Sequence, residues 1–481
     1  MKRAITFLTI ILGLNFAQIS ANNVKIDSVS LVDATTLRMK ISWDNSWFTV
    51  VPPANHDAVW IFCKRGYCPN PAIWSHAPVS TTLADHYAAS PLQVYLDGKN
   101  NAGLFVRRSS AGYGNINSVE VRIRLTAPTP PGEYNYQVFA IEMVNIPQGA
   151  FYVGDGNSSS SIDKFIAGGT TNLPFQVTSD GQILVGNTSG SLYATGKIPP
   201  GTIPANYPAG YNSFYCMKYE VTAHQIATFF NHNSADVHTR WVGTMPSSEA
   251  TYGQAFTSTT WQNVSFQYPW RAIWIINGCC CDVKGVGLSL AYLDWAGLRP
   301  MSELEFEKIC RGPDYPVTNE YAWGTNNVYS FNTGSAYSQS YGTASETHNY
   351  PLGATQGIAV LSGMRVYRVG FAAKPGTSRY KSGGSYWGVM EMTGNVNEGC
   401  VSTATSSALT FTDQPGDGVL SIDGYVNQST WPAYVACFNN GYFGKGYEFY
   451  SDGAHGFVSS RNSLQGGGGT NYMTIHFRGV R

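Results

Sequence analysis

The sequence predicts an α+β protein, with an all-β amino-terminal domain ahead of a larger domain of short strands, long loops and few helices. Three observations lead there. From residue 24 to about 140, short runs alternate apolar and polar residues between turn residues. Beyond residue 140 only two helix starts are strongly specified. Gly (51) and Tyr (30) are abundant while charged residues are 12% of the 481, against ~25% in an average soluble chain. That composition suits a loop-rich, extracytoplasmic protein. With no net charge and no basic patch, nucleic acid is not an expected partner.

Lys2 and Arg3 precede an apolar run from Ala4 to Leu14, and the small residues Ser20-Ala21 follow. This is the pattern of a secretory signal peptide over residues 1–21, cleaved after Ala21. The run is shorter than the ~20 residues of a membrane span. No cysteine lies near the cleavage site to carry a lipid, and no other segment is apolar enough to span. The mature chain is expected to be secreted, periplasmic or at the cell surface, without a membrane span.

Residues 22–142 read as a β-sandwich of Ig-like type. The runs from Val24 to Val29, Leu37 to Trp43, Val119 to Leu125 and Tyr134 to Ala140 alternate, with turns such as Pro128-Thr129-Pro130-Pro131-Gly132 between them. Trp43, Trp47, Trp60 and Trp74 are read as core and rim, with a carbohydrate-stacking platform as the minor alternative. At Met143 the character changes. Asn145 to Gly156 reads as a strand entering a Gly-rich turn, and 154–213 as an insertion or extended surface loops.

Thr222-Ala223-His224-Gln225 and Ser302-Glu303-Leu304-Glu305 fit capping boxes, in which hydroxyl and carboxyl or carboxamide satisfy each other's orphan N–H groups. Ile226, Phe229 and Phe230 share one face of the first helix; Phe306, Ile309 and Cys310 form a buried stripe on the second. A third helix, about Leu288 to Trp295, ends at Gly297. His232 and His238 are placed on a loop surface, and Gly466–Gly469 at a tip between the last strands.

Nine cysteines suit an oxidising compartment. Cys63 and Cys68 could close a small loop, and Cys279-Cys280-Cys281 could bridge to Cys216, Cys310, Cys400 or Cys437. No CxxC pair or nearby His completes a zinc set, so disulfides are favoured.

Glu391 and Glu398 flank a Gly-Asn turn, offering carboxylates and freed carbonyls to a hard cation such as Ca2+. The same loop belongs to a series. Pro147-Gln148-Gly149-Ala150-Phe151-Tyr152-Val153-Gly154, Tyr219-Glu220-Val221-Thr222, Gly297-Leu298-Arg299-Pro300 running on to Glu307, Glu391-Met392-Thr393-Gly394-Asn395-Val396-Asn397-Glu398-Gly399 and His476-Phe477-Arg478 appear in order. Together they resemble the formylglycine-generating (sulfatase-modifying factor) family over residues 143–481. The resemblance implies a C-type-lectin-like fold with little regular structure and a structural Ca2+ held by Glu391, Gly394, Val396 and Glu398. Glu391 is longer than the family's usual ligand there, and Asn397 and Gly399 replace two tryptophans. The cation-free alternative is a turn in which Asn395 bonds neighbouring backbone.

Active members of that family oxidise a substrate cysteine with two carboxy-terminal cysteines that bind copper as thiolates. The matching segment, Gly441 to Arg461, contains no cysteine. Val458-Ser459-Ser460-Arg461 stands in the "C-A-A-R" position. The His-x3-His-x-Glu triad of the iron-dependent branch is also missing. The expectation is a non-catalytic, exported protein that binds a ligand or serves surface assembly, its partner an envelope or surface protein or a glycan. Tyr442, Phe443, Tyr447 and Tyr450 are the candidate contact residues, with ordinary packing as the alternative. The rival reading is a metal-dependent oxidoreductase of the family with an altered active site. A third is a structural subunit of an envelope assembly.

Overall fold

The computed structural model describes residues 23–70, 74–128, 131–156, 164–194, 198, 201–242, 256–273, 284–330, 338–340, 343–351, 353, 356–359, 366–374, 377–433, 441–446, 456–461 and 476–481. The molecule is mostly sheet with few helices.

Nine strands fill the amino-terminal part: β1 (Lys25–Leu31), β2 (Thr36–Phe48), β3 (Asp57–Tyr67), β4 (Trp74–His76), β5 (Tyr87–Ala88), β6 (Leu92–Tyr95), β7 (Leu104–Arg108), β8 (Gly112–Arg124) and β9 (Tyr134–Ile146). One sheet runs β1-β2-β8-β5. Its inward residues Leu37, Met39, Ile41, Val121 and Ile123 pack on Val59, Ile61 and Cys63 of β3. The intervening residues of β3, Ala58, Trp60 and Phe62, enter the other large core. β3 therefore reads as an unbroken apolar run because both of its faces are buried.

The expected boundary at 142/143 falls inside β9. All eleven residues of β3 pair with β9, and the end of β9 pairs antiparallel with β16 (Phe214–Met217), where Met217 faces Met143. Before it come β10 (Phe151–Val153), β11 (Phe165–Ala167), β12 (Phe175–Val177), β13 (Ile183–Val185), β14 (Leu192–Ala194) and β15 (Gly201–Ile203). Residues 154–213 are thus not simply surface loops. β11-β14-β13-β15 form a small sheet that sends Phe165, Ile183, Leu192 and Ile203 into the core.

After β16 come α1 (Ala223–Asn231), α2 (Ala235–Val242), the hairpin β17 (Phe256–Thr260) and β18 (Asn263–Phe266), α3 (Lys284–Trp295), β19 (Arg299–Ser302) and α4 (Glu303–Arg311). Short pairs follow: β20 (Val328–Ser330) with β23 (Gly357–Ala359), and β21 (Ser338–Gln339) with β22 (Thr347–His348). α5 (Arg379–Ser382), β24 (Glu398–Val401), β25 (Tyr442–Lys445) and β26 (Gly479–Val480) complete the chain. The larger sheet runs β25-β24-β19-β26-β16-β9-β3-β7-β6, with β4 beside β3, so one sheet crosses both halves of the molecule.

Both capping boxes form. Thr222 Oγ accepts from Gln225 N and Ser302 Oγ from Glu305 N, each returned by the partner side chain. Gly297, with φ +71°, ends α3's turn where the sequence places it. Further ties cross the seam: Lys64 Nζ donates to the Trp295 and Gly418 carbonyls at 2.7 Å each, and Arg481 lies 4.0 Å over the Trp60 ring.

Candidate functional site

Helix α4 is buried on every side, more than the expected stripe. Its three glutamates each meet a cation from a different place in the chain. Glu303 accepts from Arg461 at 2.7 and 3.1 Å, Glu305 from Arg299 at 2.7 and 2.8 Å, and Glu307 from Arg311 at 3.0 Å and Lys445 at 3.2 Å. Burial alone would raise the Glu303 pKa; Arg461 outweighs it and holds the carboxylate below its ordinary value. Glu307 also takes the Gly154 N–H at 2.8 Å. Gly154 has φ +77°, and a Cβ there would lie 1.8 Å from the Phe165 carbonyl oxygen, so only glycine fits.

The Glu391–Glu398 loop is closed in the same manner. Glu391 and Asn395 adopt positive φ (53° and 66°). Asn395 Oδ1 accepts from Tyr367 N, and Asn395 Nδ2 and Val396 N both donate to the Glu220 carboxylate. Arg478 donates to Glu398 at 2.8 and 2.5 Å and reaches the Glu391 carbonyl at 3.5 Å. Glu391 Oε1 takes the Gly370 N–H at 2.7 Å, while Oε2 is buried without a partner. Burial raises the pKa of Glu391 to about 7 and of Glu220 well above its ordinary value, the latter also under the charges of Glu391 and Glu398.

Of the expected calcium ligands Glu391, Gly394, Val396 and Glu398, the Glu398 carboxylate is already paired with a guanidinium. Arg478 donates to the Glu398 carboxylate and approaches only the backbone carbonyl of Glu391, whose Oε2 has no partner; the Val396 N–H is turned to Glu220. Among the described residues no set of three His, Cys, Asp or Glu side chains is arranged to hold a metal.

The segment matching the family's thiols is structural where it is described. Val458 is buried in a core cluster with Cys310, Cys400 and Phe443. Ser459 Oγ accepts from Arg311, and Arg461 is spent on Glu303. Cys63, Cys68, Cys216, Cys310 and Cys400 are free thiols. Cys63 and Cys68 do not pair. The first points into the sandwich from mid-strand, and five extended residues separate Cα atoms by ~16 Å, beyond the ~7 Å a disulfide spans. Burial pushes Cys63 up to about 12 and raises Cys216, Cys310 and Cys400 as well, keeping them protonated. Cys279–Cys281 and Cys437 lie outside the described residues.

Tyr442 and Phe443 are not a contact surface. Every residue of β25 is buried, because the strand is hydrogen-bonded to β24 and sandwiched within the cores. Tyr447, Tyr450 and Gly466–Gly469 lie outside the described residues. His232 is also not on a surface loop: it caps α1, its ring edge-on to Trp74 (4.6 Å) and Phe139 (5.3 Å). His238 sits on α2 and bonds the Thr259 carbonyl.

A cavity of about 760 Å³ opens at the seam of the two halves, between β9 and α1. Gln137, Phe139 and Ile141, alternate residues of β9, form one wall; His224, Thr228 and His232, spaced i, i+4, i+8 along α1, form the other. Sequence reading missed it because its walls lie some 90 residues apart, though the polar stripe on α1 opposite Ile226, Phe229 and Phe230 was visible.

The architecture defines a sheet-and-loop scaffold cross-linked by buried ion pairs. A comparison with protein-family models matches residues 137–478 to the sulfatase-modifying factor enzyme 1-like domain, and the chain belongs to that family. A comparison with curated proteins found no match.

Proposed function

We propose that this protein is a non-catalytic, exported member of its family that binds a ligand at the cell envelope. One observation carries the reading: where active members place a thiol, this chain has Val458, buried in a core cluster. The protonated state of the four buried thiols supports it, as does the use of Arg461 and Ser459 as internal struts. The irregular second half, tied by loops and ion pairs, suits the C-type-lectin-like fold that family resemblance implies. The basic–apolar–small pattern of residues 1–21 supports export, with a mature start at Asn22. No helix among the described residues is long and apolar enough to cross a membrane.

The test is incubation of purified protein with a cysteine-containing peptide, oxygen, reductant and copper, followed by mass spectrometry. The peptide should return unchanged. Conversion of its cysteine to an aldehyde would establish the metal-dependent oxidoreductase reading instead.

A further inference from the structure

We propose that the cleft between β9 and α1 is a binding site for a neutral saccharide, a site that exists only because the two halves share a sheet. The inference rests on the binding-protein reading above and names its ligand class.

The cavity, at about 760 Å³, falls within the ~300–1,000 Å³ of small-ligand pockets. Its walls offer rings and neutral polar groups together. Phe62, Phe139 and Trp295 form one aromatic cluster, Phe62 stacked on Phe139 at 4.9 Å and Trp295 edge-on to both. Phe139, Tyr219 and Trp270 are only half-buried. Sugar rings present a C–H face to such surfaces and hydroxyls around the edge.

Polar groups are available for those hydroxyls. Gln225 uses its carboxamide oxygen in the α1 capping box, which leaves its NH2 group for a ligand. Gln137 and His224 are exposed at the mouth. The Tyr219 hydroxyl and Trp270 Nε1 are buried without a protein partner, a state that native structures rarely tolerate unless something else supplies the bond.

Arg368 and Glu220, beside the cleft, are already engaged. Arg368 directs Nε, Nη1 and Nη2 to the carbonyls of Glu346, Val369 and Gly370. Glu220 is held by Asn395 and Val396; Glu142 takes the Val24 N–H at 3.0 Å through Oε1, while its Oε2 is buried without a partner and burial raises its pKa to about 7. Desolvation keeps His232 below its ordinary pKa and hence neutral. Among the described lining residues Arg368 is spent on backbone carbonyls, so an anionic ligand finds no guanidinium here, whereas a neutral polyhydroxylated one needs none. Val24, Phe62 and Gln137 come from the amino-terminal part and His224 from the rest, so neither half alone forms the site.

Isothermal titration of the full chain with maltohexaose, cellohexaose, laminarihexaose and chitohexaose, up to about 5 mM, tests this. At least one should bind. His224→Ala and Gln137→Ala, both exposed and outside the cores, should each weaken it about tenfold with an unchanged melting temperature. The proposal is overturned if none of the four binds, if both variants bind as the parent does, or if a hexagalacturonate or an apolar peptide is preferred. Aldehyde formation from a cysteine peptide would remove the non-catalytic reading while leaving the sugar titration to stand or fall by itself.

Discussion

Arg478 and Glu398, eighty positions apart, form a buried pair in which Nε and Nη2 approach one carboxylate oxygen at 2.8 and 2.5 Å. Arg478 also donates to the Met217 and Lys218 carbonyls at 3.1 and 2.9 Å. One guanidinium thereby joins three motif segments: the end of the chain, the Glu391–Glu398 loop and the strand leading into α1.

Removing one partner leaves a buried charge alone. Arg478→Ala should destabilise the protein by about 3–5 kcal/mol in urea denaturation, and Arg478→Met with Glu398→Met by less. A single variant as stable as the parent would show that the pair does not close the loop.

The same guanidinium bears on calcium. Because it already pairs with the Glu398 carboxylate, excess chelator should leave the melting temperature unchanged. A ligand that binds only the folded state must raise that temperature, so a calcium-dependent rise would restore the cation site and require Arg478 to move.

Two buried groups set opposite pH trends. Glu391 is raised from 4.5 to about 7 by burial, so its contribution is full below pH 4.5 and lost as pH rises through 7. His476 is lowered from 6.5 to about 3 by desolvation, so its contribution is present above 6.5 and lost as pH falls toward 3. Glu391→Gln should gain on the parent between pH 5 and 8, by on the order of 1–3 kcal/mol. His476→Leu should gain on the acid side. Parallel stability curves for parent and variants would refute the assignment.

Thiol chemistry separates the cysteines. With iodoacetamide at pH 8, peptide mapping should find Cys68 modified and Cys63, Cys216, Cys310 and Cys400 protected until denaturant is added. Native labelling of any of the four would contradict their burial.

The halves should not separate. Cutting at 142/143 splits β9 and bares Ala58, Trp60 and Phe62, which face the second core. Residues 22–142 alone should aggregate, and the full chain should melt in a single transition. A soluble fragment with dispersed amide resonances would count against this.

Much of the local structure was legible in the sequence. The alternating strands, both capping boxes and the Gly297 stop depend on contacts within a few residues, and they form where the residues dictate. The family, too, could be read from five short segments in order. Tyr442 and Phe443 misled because aromatic residues beside glycines look alike whether they face solvent or a neighbouring strand. Cys63 and Cys68 misled because sequence closeness becomes spatial distance along an extended strand.

By itself the sequence determined the strands of the first half, the ends of three helices and the lack of a thiol pair in the Gly441–Arg461 segment. Tertiary structure alone decided that β9 welds the halves into one sheet, that the three glutamates of α4 lie inside as ion pairs, and that Arg478 pairs with Glu398. The cleft at the seam belongs with these. Each joins residues tens to hundreds of positions apart, and such pairings are set by the packing of whole elements, which no local pattern encodes.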